Sequence, residues 1–250
     1  MTTGHGTEGW TAAVRQRLAL GRLLALGEAA DGAWLAERAA TAELRRAAAA
    51  VPGAVLGSVR IALADPDGAL APAVPPPPGA QPPGPLRVEG EFAAATGEPL
   101  PALAERLRGA LFDCAVDGLG LRVTEVDLRV TALLDAAAES PAPAGPVGRD
   151  TAEPEDATGA AAAAVPGVAH LTRTLGSAVA TTAADGGGVE HVRVELATAA
   201  GHRPLDVARA VRAELAGLAA APRTVTVLVT AVEAPAGRAG RGSARRTARG

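Results

Sequence analysis

An ordered internal repeat constrains this chain more than any other feature. The run Ala47 to Gly53 (four alanines, then Val-Pro-Gly) recurs at Ala161 to Gly167. Downstream, Leu86-Arg-Val-Glu89 leads to Glu98-Pro-Leu100, and Val192-Arg-Val-Glu195 leads to Arg203-Pro-Leu205. Val130-Thr-Ala132 is then matched by Val229-Thr-Ala231. Three matches in the same order point to two copies of one supersecondary unit, and each unit must find a partner for its apolar face.

Periodicity gives the content of that unit. Asp31 is placed to cap a helix over roughly residues 33–50, which Val51-Pro52-Gly53 ends. Residues 58–64 alternate, with Val59, Ile61 and Leu63 on one side and Ser58, Arg60 and Ala62 on the other, as a half-buried strand does. Asp65 to Pro85 holds nine prolines and reads as an extended loop joining two strands. The next strand, 86–93, sets Leu86, Val88 and Phe92 against Arg87, Glu89 and Glu91. Pro99 opens a helix with Leu100, Leu103, Leu107, Leu111 and Cys114 on one stripe. The strand from Val123 to Leu134 closes the unit.

The expected fold is therefore α/β, of the two-layer α+β kind: a tandem duplication of an αββαβ unit, each a small sheet covered by helices. Its parts are a basic amphipathic leader helix (1–30), repeat one (31–135) with its proline loop (65–85), a linker (136–156), repeat two (157–233) and an Arg/Gly tail (234–250). Repeat two reuses the order with a shortened first helix, a strand near 170–180, a Gly186 to Gly188 turn, a strand at 190–197, a helix at 204–219 with Leu205, Ala208, Val211 and Leu215 inward, and a strand at 223–232.

Composition limits the function classes. Hydrophobic residues make up 48% of the chain but aromatics only 2%, so cores must be built from Leu, Val and Ala with close helix approach. Net charge is −3, which argues against a dedicated duplex-DNA binder. Cys114 is the only cysteine, which excludes an internal disulfide and fits a reducing interior. Signal-peptide and membrane-span patterns are not expected, and a cytoplasmic protein, peripheral at most to a membrane, is.

No phosphate-loop, dinucleotide-binding, nucleophile-elbow or zinc-protease motif occurs, so the reading is of a protein that is not an enzyme and needs no cofactor or metal. Cys114 lies on an apolar stripe and reads as a buried structural thiol. His191 and His202 lack metal-ligand spacing, and His191 is expected to be exposed. Glu89, Glu91, Glu125 and Asp127, with Arg60, Arg87 and Arg129, are expected to form a solvated cross-strand charge network.

Two basic segments carry the candidate contacts. The leader combines Arg15, Arg17 and Arg22 with Trp10 and several leucines, a pattern that suits an anionic membrane surface, a partner's groove or packing on its own domain. The tail carries Arg238, Arg241, Arg245, Arg246 and Arg249, and suits anionic lipid, RNA, an acidic protein or simple solvation.

The alanine-rich helix ending in Val-Pro-Gly, the two strands, the Pro-Leu-opened helix and the Val123 to Val130 strand together resemble the alkaline shock protein family of Gram-positive bacteria. The leader and Asp31 to Trp34 also resemble a group of actinobacterial proteins, some of which carry a nucleopolyhedrovirus fibre-protein label. The resemblance covers about residues 31–135 and 157–233; a fused pair with a proline insert departs from the usual single-domain member. It implies a non-enzymatic scaffold in the envelope stress response, held at the membrane by a protein partner. An RNA-binding module using the tail, or a small-ligand site between the repeats, are the alternatives. The acidic body and the scarcity of aromatics for base stacking speak against nucleic acid.

Overall fold

The computed structural model describes residues 20–135, 151–182, 189–218 and 223–234. Among the described residues it is a mixed α and β architecture of two sheets and four α-helices. In chain order the elements are β1 (Leu23–Leu26), β2 (Ala33–Ala36), α1 (Glu37–Ala49), β3 (Ala54–Leu63), β4 (Leu86–Ala95), α2 (Leu100–Asp113), β5 (Val123–Leu134), β6 (Thr151–Ala152), α3 (Ala157–Ala164), β7 (Val168–Thr172), β8 (Val179–Thr182), β9 (Glu190–Thr198), α4 (Pro204–Gly217) and β10 (Arg223–Val232).

The smaller sheet has the order β3-β4-β5, with β3 antiparallel to β4 and β4 parallel to β5. The larger runs β1-β2-β10-β9-β7-β6. Within it β7 is antiparallel to β9, and β9 is parallel to β10. Strand β8 continues along the same edge of β9 after a break at 173–178. A parallel pair needs a crossover, and α2 and α4 supply one for each sheet.

Two expectations fail at the start of the chain. The leader helix does not extend to residue 30, because Leu23–Leu26 is a strand with all four residues buried. Nor does Asp31 cap a helix at 33. Ala33–Ala36 is a second buried strand, antiparallel to β1 and parallel to β10, and α1 begins only at Glu37. The reason is burial on both faces: a short all-apolar run gives no alternation, so helix and strand look alike until neighbours are known. The hairpin thus belongs to the larger sheet, although it lies in the stretch assigned to the first repeat.

The linker is corrected as well. Thr151–Ala152 pairs with β7, and the Asp156 carboxylate accepts the Gly159 N–H at 2.7 Å to cap α3. Residues 136–150, the Gly186 to Gly188 turn and residues 235–250 lie outside the described residues.

Side chains from both sheets and all four helices join one buried apolar cluster. Helix α1 touches β3, β10 and α2, with Ala39, Ala40, Leu44 and Ala48 buried. Three alanines among these four residues let it approach its neighbours closely, as the scarcity of aromatics requires. Leu103, Leu107 and Leu111 of α2 are buried as expected, whereas Leu100 is exposed. Past Asp113 the helix widens into a π-type turn, Cys114–Leu119, closed by Gly120 in a left-handed conformation. A side chain at Gly120 would stand 2.3 Å from Leu205 of α4, so only glycine allows the two halves this close.

The proline loop is more than a connector. The Trp34 indole donates to the Gln81 carbonyl at 3.2 Å, the Thr226 hydroxyl donates to the Pro75 carbonyl at 2.8 Å, and the Gln81 N–H reaches the Leu23 carbonyl at 2.8 Å. Val74 of the loop is itself buried. The loop straps the face of β2 and β10 that the helices leave open.

Candidate interaction surface

Among the described residues, the smaller sheet is covered on one face only. Leu86, Val88, Phe92 and Val126 turn inward, and the alternate residues form an open charged face. Its register sets the charges in rows. Arg87 lies opposite Glu125, Arg60 opposite Glu89, Glu89 opposite Asp127, and Glu91 opposite Arg129.

Ion pairs follow the rows. The Arg87 guanidinium donates to Glu125 at 2.6 Å and stands 3.5 Å from Asp127, and Arg129 pairs with Glu91. The Ser58 hydroxyl donates to Glu91 at 2.7 Å. Hydrogen bonds from Arg129 and then Ser58 hold the Glu91 carboxyl below its ordinary value. Of the expected cross-strand network, Arg87, Glu125, Asp127, Glu91 and Arg129 form ion pairs, and Arg60 and Glu89 share the face by register. Between the rows lies a shallow depression of about 560 Å³.

At the edge of this sheet, β5 is exposed along most of its length from Asp127 to Leu133. Val126 is 7% exposed, Val130 37% and Leu133 61%, so helical cover runs out along the strand. The Arg108 side chain donates to the Val126 carbonyl at 3.0 Å.

Of the expected contact residues, Arg22 alone is described. It is held by its own fold: its guanidinium donates to Glu37 at 2.7 Å and 3.1 Å, and its N–H reaches the same carboxylate at 3.2 Å. Burial pushes the Glu37 carboxyl up, but the Arg22 hydrogen bonds outweigh it and leave the group below its usual range. Arg22 therefore fastens the β1 hairpin to α1. Trp10, Arg15, Arg17, Arg238, Arg241, Arg245, Arg246 and Arg249 lie outside the described residues.

Between the halves there is a cavity of about 360 Å³ lined by Phe112, Arg122, Arg203, Leu205 and Arg209. Each of its arginines has a partner within the protein. Arg122 pairs with Glu28 at 2.9 Å, Arg203 donates to the Val116 carbonyl at 2.8 Å, and Arg209 is bidentate on Asp31 at 2.8 and 2.9 Å. Asp31, read as the cap of a helix at 33, instead accepts the Glu28 N–H at 2.7 Å in the turn at 29–31 and ties that turn to α4. The groove reads as an internal seam.

Other singled-out residues have structural places. Cys114 is half-buried, and burial pushes its thiol up to about 11, which favours the protonated form. His191, expected to be exposed, is half-buried and shares a hydrogen bond of 2.8 Å with the Thr224 hydroxyl; burial lowers its pKa. His202 stacks no ligand set around it, and among the described residues no group of three His, Cys, Asp or Glu could hold a metal ion.

Glu195 was not legible as special. It sits in the Val-Arg-Val-Glu match of Glu89, which is exposed, yet Glu195 is fully buried. Its carboxylate accepts the Leu175 N–H at 3.0 Å where the β7–β8 edge breaks, and Arg193 stands 3.4 Å away. Burial pushes its carboxyl up to about 7. Only the break in the neighbouring strand creates this site, and sequence alternation carries no sign of it.

Among the described residues, no helix is long and apolar enough to cross a membrane. Comparison with protein-family models, with curated proteins and with solved structures finds no match in any of the three.

Proposed function

We propose that this protein is a non-enzymatic intracellular scaffold, built as a tandem pair of αββαβ units, that holds a protein partner at the cell envelope as part of its stress response. The observation that carries the reading is the one-sided β3-β4-β5 sheet, whose open face is a register of paired charges and whose β5 edge is exposed. A flat polar sheet face with a bare edge suits protein recognition, with the rows of charge giving orientation more than affinity.

The tandem reading is supported by the matching connectivity. In both halves a helix precedes an antiparallel pair, and a crossover helix then leads to a parallel third strand. The envelope reading rests on the resemblance to the alkaline shock family and on the two basic ends, which would add affinity for an anionic membrane surface by avidity.

A photocrosslinking residue placed at Glu89, with Asp67 on the distant loop as control, tests the surface. A discrete adduct from position 89 and none from 67 is expected; equal labelling at both sites would sink the assignment of this face. Co-flotation with anionic and neutral vesicles at low and high salt, comparing the full chain with chains lacking 1–19 or 235–250, tests the membrane arm. Salt-sensitive binding to anionic vesicles, lost with either end, is expected.

A further inference from the structure

The geometry of β5 points to a second copy of this chain as the occupant of that edge: we propose that two β5 strands pair antiparallel about a two-fold axis at Leu128. The inference rests on reading the smaller sheet as an interaction surface, and it names the partner for one part of it.

Backbone direction comes first. In a parallel pair, alternate residues turn both N–H and C=O toward the neighbour. The Leu86 N–H bonds the Arg122 carbonyl, and the Leu86 and Phe92 carbonyls accept from Thr124 and Thr131 side chains on β5. The even residues of β4 therefore face β5. With the register Val88 to Val126 and Glu89 to Asp127, residues 125, 127 and 129 bond back to β4. Val126, Leu128 and Val130 turn their backbone groups outward, and among the described residues no strand meets them. The contact of Arg108 with the Val126 carbonyl agrees with that direction.

An axis at Leu128 matches these groups. Leu128 exchanges two bonds with its symmetry mate, and Val126 meets Val130 of the other copy twice. Side chains then decide the register. On the open face, Asp127 of each copy falls opposite Arg129 of the other, at the non-hydrogen-bonded positions where side chains come closest. Moving the axis one residue either way sets Asp127 against Asp127 or Arg129 against Arg129. The axis at Asp127 also brings Glu125 opposite Arg129, but only together with Asp127 against Asp127; the central register alone joins unlike charges without setting like against like. On the inward face, the exposed Val130 is laid beside the buried Val126 of the partner, extending the apolar layer where helical cover runs out.

Natural edge strands are commonly blunted by proline, lysine or an inward charge. From Val126 to Val130 the strand itself presents only Val126, Leu128 and Val130 on its inward side, and the Arg108 guanidinium takes one lone pair of the Val126 carbonyl, leaving its second lone pair and the outward groups of Leu128 and Val130 to a partner strand.

Sedimentation of the full chain over a dilution series tests the proposal, with Asp127→Arg and Arg129→Asp measured alone and mixed. Circular dichroism checks that each variant is folded. The wild type is expected to be a concentration-dependent dimer, and each variant to dissociate about tenfold more readily or worse, because like charges now face each other. Mixing the two variants restores unlike pairs on both sides of the axis and is expected to restore the dimer. Leu128→Pro, which removes an outward N–H and leaves the β4 ladder intact, should also give monomers. A wild type that stays monomeric, or a dimer indifferent to all three substitutions, overturns the inference. Neither result touches the crosslinking outcome at Glu89, so failure of the pairing and failure of the interaction reading are separable.

Discussion

The two sheets share one connectivity but meet solvent differently. The β3-β4-β5 sheet is covered on one face and alternates cleanly along β4, from Leu86, Val88 and Phe92 inward to Arg87, Glu89 and Glu91 outward. In the other sheet, β10 buries five consecutive residues, Val225 to Val229, and β2 buries all four of its own. The difference comes from the β1–β2 hairpin on the edge of the larger sheet and the proline strap on its second face. A common strand pattern thus ends as an exposed charged surface in one half and as interior in the other.

Trp34 is the largest side chain joining the strap to the buried sheet, and Trp34→Ala is expected to have the largest effect. The lost packing and the orphaned Gln81 carbonyl should cost about 3 to 5 kcal/mol, read from urea unfolding. If the loss is under about 1 kcal/mol, the strap is not part of the core and the contrast between the sheets collapses.

Glu195 sharpens the comparison, because Glu89, its match in the open sheet, sits in solvent. An acid whose folded pKa is raised binds its proton more tightly in the fold. Its contribution is therefore full below the 4.5 of an ordinary glutamate and is lost as pH rises toward about 7. The loss amounts to about 3 kcal/mol over that window. Glu195→Gln should remove this dependence and be the more stable protein at pH 8, by up to that amount. Denaturant midpoints of both proteins at several pH values give the difference directly. Taking the difference matters, since Asp31 and Glu37, whose pKa values are lowered, make the opposite contribution and lose it as pH falls.

The smallest effect is expected on the open face. Arg87→Ala breaks pairs with Glu125 and Asp127 that are bathed in solvent, and it should leave the melting temperature unchanged within error at moderate salt. A clear destabilisation would mean that the ladder holds the sheet together and is not a surface kept for something else.

Much of this was legible in the chain. The prolines at 99 and 204, the stripes Leu103-Leu107-Leu111 and Leu205-Ala208-Val211-Leu215, and the alternation along β4 predict their elements because one buried face writes a period into the sequence. The charged face followed from the same alternation, since strands that pair in register must bring their outward residues together.

Tertiary structure decided the rest. Leu23–Leu26 and Ala33–Ala36 are strands because β10 offers them an edge, and an apolar run of four residues has no period of its own. Asp31 closes the turn at 29–31 and ties it to Arg209 rather than capping a helix at 33, because α4 lies beside it in space although far away in sequence. Glu195 is buried because its neighbouring strand breaks, while Glu89 is exposed because β3 runs on unbroken beside it apart from a bulge. Local pattern alone sets the units that have one buried face, and the sign of those faces. Which faces were covered was settled by contacts between residues far apart in the chain, and no local pattern encodes those.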